Sequence, residues 1–196
     1  MIFESENTDE KIISATFKIV QREGIQKATT KKIAAEAGVN EVTIFRNFQN
    51  KKNLIETTID YYMATLIEKL NENFDFSEDE KIEDYLKKCF YGILDFSEDD
   101  FSVIGVALRE TGDGSDRKLL ISKITDVILN KLEEFFKLQV DKEIIDMNPK
   151  AIAIMCFSLI FESLFLWQLY SSHAEKGLDY YADEFLDIIF NGIKVN

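Results

Sequence analysis

The chain has 196 residues, 46% of them apolar and 30% charged, with one proline and 8 glycines. It is long enough to bury a core in one large domain or two small ones, and too apolar to be mostly disordered. Taken whole, the formal net charge of −13 argues against a phosphate-rich partner.

Two cysteines, Cys89 and Cys156, and a single histidine, His173, exclude a disulfide scaffold, a multi-histidine metal site and a Ser-His triad. The two thiols read as reduced and buried, and no metal or cofactor is expected. The amino-terminal residues MIFESENTDEK show neither a basic n-region nor an apolar h-region. No secretory signal is therefore expected, and the cytoplasm is the default location.

The predicted elements are helices throughout, about nine of them, with no convincing strand. The first opens at Thr8, where Asp9 and Glu10 suit the helix dipole, and stops at Gly24. A second follows Thr29 and stops at Gly38; Asn40 caps a third from Glu41 to Phe48; Asn50 caps a fourth from Lys51. Ser77 and Glu80 have capping-box spacing, which predicts a helix running to about residue 96. A short helix is predicted over 101–111 and a long one over 116–138. Pro149 then stands at a first helical position, opening a helix over 149–173, and a last helix covers 178–193.

One apolar stretch, 151–170, has nearly the length of a membrane span. It carries Glu162 near its centre, and a central charge is costly in lipid. The buried axis of a helical bundle is the better reading, and no membrane partner is expected.

The informative segment is residues 29–54, TTKKIAAEAGVNEVTIFRNFQNKKNL. It reads as helix, glycine-containing turn, helix. Gly38 sits where the chain leaves one helix for the next, and Ile33, Ala34, Ala37, Val39, Ile44 and Phe48 supply the small core between them. This is the helix-turn-helix arrangement, in which the second helix enters the major groove.

The segment resembles the DNA-binding domain of the TetR/AcrR family of transcriptional regulators. The resemblance is carried by Thr29-Thr30, by Ile33-Ala34-Ala35-Glu36-Ala37-Gly38-Val39-Asn40, by Thr43-Ile44-Phe45, by Phe48 and by Lys51 to Leu54. It covers about a quarter of the chain and implies an amino-terminal DNA-binding domain, 1–52, and a ligand-binding and dimerisation domain, 53–196. Thr29 and Thr30 would bind a backbone phosphate at a helix start. Thr43 fills a phosphate or base-edge position, and Lys51 reaches phosphate from the start of the fourth helix. Glu41, Val42 and Asn47 project toward base edges, Arg46 toward bases or backbone, and Lys31 adjoins the groove.

Two residues depart from the family pattern. Phe45 replaces the usual Tyr and loses a phenol-to-phosphate hydrogen bond. Glu41 is acidic on a helix facing DNA; it either accepts from a cytosine amino group or caps its own helix start. Those two readings stay open here.

Charge is divided unevenly along the chain. Residues 1–55 hold nine Lys/Arg against seven Asp/Glu, a net +2, which leaves fourteen against twenty-nine, a net −15, for the rest. A weakly basic head on an acidic body orients the protein toward DNA by its amino-terminal end.

The body is aromatic. Most of its rings read as core, but the resemblance implies an effector pocket among the middle helices. Phe101, Phe157, Phe161, Glu162 and Phe165 are the candidates to line it, for a small apolar or aromatic ligand. Glu162 would need a partner if buried, either a cationic ligand or an internal group. The last two helices carry more apolar surface than one neighbour can cover, and the resemblance implies that they form a homodimer.

The expected function is thus a sequence-specific, ligand-responsive repressor of transcription that is not an enzyme. The other reading is an all-α small-molecule carrier or protein-interaction module without DNA binding.

Overall fold

The computed structural model describes residues 7–96, 100, 102, 103, 105, 106, 114–170 and 177–192, the side chains of 114–121, 162–170, 178 and 179 excepted. Among these residues the chain is all-α. Eight helices follow in order: α1 (Thr8–Glu23), α2 (Thr30–Ala37), α3 (Glu41–Phe48), α4 (Lys51–Asn73), α5 (Ile82–Leu94), α6 (Gly114–Asp141), α7 (Pro149–Tyr170) and α8 (Leu178–Asn191). Residues 100, 102, 103, 105 and 106 are also helical, within the stretch where the sequence predicts a further short helix. No helix of the described residues is long and apolar enough to cross a membrane.

The chain divides into two compact units. The first joins the residues up to Leu66 with Glu98–Ile121; the second joins Ile67–Ser97 with Ser122–Asn196.

In the first unit, short-range caps set the helix starts. Asn7 caps α1 through a reciprocal pair: its Oδ1 accepts from the Asp9 N–H at 3.4 Å, and its own N–H donates to Glu10 Oε2 at 3.3 Å. Thr29 Oγ1 accepts from the Lys32 N–H at 3.3 Å, Asn40 Oδ1 from the Val42 N–H at 2.9 Å, and Asn50 Oδ1 from the Asn53 N–H at 2.9 Å. Each side chain takes an N–H that would otherwise lack a partner in the first turn.

Gly38 ends α2 in the left-handed region, at φ 67° and ψ 31°. Its N–H donates to the Ala35 carbonyl at 3.3 Å, and the Val39 N–H reaches back to Ala34 at 2.9 Å. That double closure is a Schellman ending, and it requires positive φ. A Cβ here would meet nothing within 4 Å, so the whole cost of Gly38→Ala lies in the backbone. Gly38→Ala is expected to destabilise by about 1–2 kcal/mol, measured by denaturant unfolding, and Gly38→Asn by less because Asn tolerates this region. Equal stability of Gly38→Ala and the parent would contradict the strain argument.

α1 packs on α2 and α2 on α3. The core beneath is Ile12, Ile19, Ile33, Ile44 and Leu54, all at or near zero exposure. Phe17 stacks on Tyr62 with ring centroids 3.9 Å apart.

The second unit is built around an aromatic cluster. Tyr85 lies 3.9 Å from Phe135 between ring centroids, Phe76 lies 5.3 Å from Phe135, and Phe136 lies 5.5 Å from it. The buried Tyr85 hydroxyl donates to the Phe74 carbonyl at 3.1 Å, which satisfies the one polar atom of the ring. Burial pushes the Tyr85 phenol well above its ordinary pKa and the thiols of Cys89 and Cys156 up to about 12. Both cysteines are buried and unpaired by disulfide, and such thiols are inert.

The start of α5 departs from its sequence signature. The Ser77 N–H does donate to Glu80 Oε2 at 3.2 Å, but the helix begins at Ile82 and its cap, Lys81, makes no side-chain cap bond. The pair closes a turn instead. Lys88 joins it, its ammonium donating to Glu80 Oε1 at 2.8 Å and to the Asp75 carbonyl at 2.6 Å. Lys131 binds the Asp75 carboxylate at 2.9 Å and holds it below the usual carboxyl range. A third lysine, Lys142, donates to the Glu78 carbonyl. The acidic loop is thus clasped by three lysines from other elements.

α5 packs on α8, where Tyr91 donates to Asp183, and α7 packs on α8. Gly92 allows one close approach within the unit. The Asn73 side chain, whose Nδ2 donates to the Cys89 carbonyl at 3.1 Å, passes where a Cβ of residue 92 would stand.

Candidate nucleic-acid interface

The helix-turn-helix turns one face of α3 inward and leaves the rest open. Ile44 and Phe48, one turn apart, are buried; Val42 is 70% exposed and Phe45 48% exposed, beside exposed Arg46 and Asn47. A helix of eight residues that buries one stripe leaves its other faces free. Thr43 is half-buried. Val42 and Phe45 are thus two large apolar side chains in the open on this short helix.

Thr29, Thr30 and Lys31 lie together at the start of α2. Thr29 and Lys31 are exposed, and Thr30 is half-buried. The Thr30 hydroxyl donates to Glu41 Oε1 at 2.6 Å. Glu41 therefore binds the start of α3 to the start of α2, a partner that neither reading of its sequence position had named. In this arrangement the Thr30 hydroxyl proton is already engaged.

Lys51 also has an internal partner. Its ammonium donates to the Ile25 carbonyl at 2.6 Å, which anchors the start of α4 to the loop between α1 and α2. An ammonium has three N–H donors, so two remain. At the far end of α3, Asn47 Nδ2 donates to Asp9 Oδ1 at 2.6 Å and its Oδ1 accepts from Arg46 Nε at 3.1 Å. Lys32 is drawn the other way, onto Glu23 at 2.6 Å; with Arg22 it holds that carboxyl below its ordinary pKa.

The ten residues predicted to face DNA thus fall in one unit of the fold, on α2, α3 and the first turn of α4. Sequence reasoning missed Asp9, Glu23 and the Ile25 carbonyl, because their partners lie 38, 9 and 26 positions away and no local pattern signals them.

The five predicted pocket residues are placed less fully. Phe157 is half-buried and Phe161 48% exposed, their rings stacked 5.6 Å apart on α7. Glu162 and Phe165 belong to α7, with side chains outside the described residues, and Phe101 lies outside them altogether. Among the described residues no cluster of three or more His, Cys, Asp or Glu is arranged to hold a metal ion.

Residues 12–58 match the family model of bacterial regulatory proteins, tetR family. The chain is 26% identical over 165 residues to the uncharacterized HTH-type transcriptional regulator YvkB of Bacillus subtilis, covering 83% of this chain and 84% of that one. Its fold is similar to the transcriptional regulator FadR from Bacillus subtilis, solved in complex with stearoyl-CoA (TM-score 0.62, 22% identity, 94% of this chain and 98% of that one). It is also similar to AibR, solved with isovaleryl coenzyme A and operator DNA (TM-score 0.61, 16% identity, 93% and 97%). Residues 12–58 are thus a domain of the tetR family of bacterial regulatory proteins, and the chain as a whole has the all-helical fold of the solved regulators it is similar to.

Proposed function

We propose that the protein is a homodimeric transcriptional repressor that holds DNA through α3 and leaves it when a small apolar ligand binds the second unit. The observation that carries this reading is the open face of α3, where Val42, Phe45, Arg46 and Asn47 are exposed on a helix locked from behind by Ile44, Phe48 and the Gly38 turn. Such a helix can enter a major groove as a rigid element. Thr29 and Lys31, with the two remaining donors of Lys51, supply phosphate contacts on either side. The Thr30 hydroxyl can join them by exchanging Glu41 for phosphate.

Exposed apolar residues on the last two helices support two-fold pairing. Ile154, Met155 and Phe161 of α7 and Tyr180, Ile188 and Phe190 of α8 are all open to solvent in the single chain. Burying them against a second copy removes that exposure and sets two reading helices on one duplex. Ligand release then requires only that the effector bind one spacing of these helices better than another. Two proteins of similar fold were solved with acyl thioesters of coenzyme A, which puts long or branched acyl chains first among effectors to try.

The test is a gel-shift titration of the full chain on duplexes from its own upstream region, at low and moderate salt, with and without acyl-CoA. Specific retention, lost on adding effector, is expected. Lys51→Ala should weaken binding to every duplex and reduce the slope of log affinity against log salt by about one. Acyl-CoA binding with no specific retention would favour the carrier reading instead.

A further inference from the structure

Asn47 stands in the last turn of α3, exposed, yet both ends of its amide are engaged inside the first unit. Nδ2 donates to Asp9 Oδ1 at 2.6 Å, and Oδ1 accepts from Arg46 Nε at 3.1 Å. A side-chain amide can present its nitrogen and oxygen either way round, and its neighbours decide which. A carboxylate only accepts, so Asp9 admits one orientation, with the amide nitrogen toward α1 and the oxygen toward Arg46.

The consequence passes to the guanidinium. Its donors form a rigid planar fork, so engaging Nε on Asn47 sets the direction of the two terminal Nη groups. That end of the fork matches O6 and N7 of guanine. Asn47, meanwhile, has committed one N–H and one lone pair of its amide to these neighbours, which fixes the direction in which the remaining N–H and lone pair point. Asp9 is itself held: it lies in the first turn of α1, with its N–H on Asn7 Oδ1 at 3.4 Å.

Resting on the reading of α3 as the base-reading helix, we propose that Asp9 is a specificity-determining positioning residue, which acts through Asn47 to aim Arg46 at a guanine in each operator half-site. The charge of Asp9 works against total affinity, since a carboxylate beside DNA repels phosphate. Asp9 therefore weakens binding to all DNA while sharpening the choice among sequences. A residue that merely supported the fold would do neither of these things separately.

The experiment is selection of random duplexes by the full-length wild type, Asp9→Ala, Asp9→Asn, Asn47→Ala and the Asp9→Ala/Asn47→Ala double variant, followed by competition on the selected site and on copies with single bases changed. The wild type is expected to enrich a guanine at one position of each half-site. Asp9→Ala should bind non-specific DNA more tightly and lose about tenfold in preference for that guanine. Asp9→Asn, which keeps an acceptor for Asn47, should retain most of it. Asn47→Ala should lose the same preference, and adding Asp9→Ala to it should change nothing further.

Uniform weakening on all sequences by Asp9→Ala, together with a lower thermal midpoint, would reduce Asp9 to a structural role. An unchanged guanine preference in Asn47→Ala, or an Asp9→Ala effect that persists in full in that background, would overturn the relay while leaving DNA reading intact. No enriched motif from the wild type would remove both readings together.

Discussion

Replacing Phe135 by alanine is expected to cost about 3–5 kcal/mol of stability, the range for deleting a large buried ring. The ring has no solvent exposure and touches Tyr85, Phe76 and Phe136. Two of those neighbours come from the segment before α6 in sequence, so the cavity would open between elements rather than at the end of one side chain. Relaxation into it is restricted, because Tyr85 is held by its hydrogen bond to the Phe74 carbonyl and cannot tilt inward without losing it. Equilibrium unfolding in denaturant, followed by far-UV circular dichroism, measures the loss. A change below about 1 kcal/mol, the level of a typical point substitution, would mean that the cluster is not the core of this unit. Met147→Ala is the control, since that side chain is 62% exposed and its removal leaves no closed cavity.

The second large effect concerns α3. Ile44→Ala is expected to destabilise by about 2–5 kcal/mol and to abolish specific DNA retention. Ile44 has no exposure and anchors α3, whose outer face is the one proposed to read bases. An eight-residue helix has little stability of its own, so α3 keeps its place only through this stripe and its caps. Val42→Ala should do the opposite. Its side chain is 70% exposed, so stability should move by less than about 0.5 kcal/mol while base preference changes. Paired melting curves and gel shifts separate the two residues. If Val42→Ala altered neither stability nor preference, the outer face of α3 would not be the reading face.

The helix-turn-helix was legible in the sequence because the chemistry that builds it is local. Thr29, Asn40 and Asn50 each cap a helix through an N–H two or three residues on, and Gly38 sits where positive φ closes the turn between α2 and α3. Spacing alone therefore located α2 and α3 to the residue. The same local reasoning failed at Ser77 and Glu80. The Ser77 N–H does bind the Glu80 carboxylate, but the Glu80 N–H returns to the Ser77 carbonyl, so the pair closes a turn and the helix starts later, at Ile82.

The candidate site divides in the same way. That residues 29–51 carry threonines, an exposed apolar and polar helix and a lysine at the next helix start is written in the chain. What those side chains bind within the fold is not. Glu41 reaches Thr30 across 11 positions, Lys51 reaches the Ile25 carbonyl across 26, and Asn47 reaches Asp9 across 38. Each partner is an ordinary surface residue, or a backbone atom, until the packing of α1, α2 and α3 brings it near.

The sequence by itself determined the all-helical class, the turn and the division of charge, a net +2 in residues 1–55 against −15 beyond them, because periodicity, caps and composition act over a few residues or simply add. Only the tertiary structure decided which donors and acceptors of the basic head are already engaged. A hydrogen bond is set by distances of about 3 Å and by angle, and for residues tens of positions apart those are properties of the fold alone. An acidic protein with a weakly basic head thereby becomes one whose third helix is held by carboxylates from its own chain, Glu41 on Thr30 and Asp9 on Asn47.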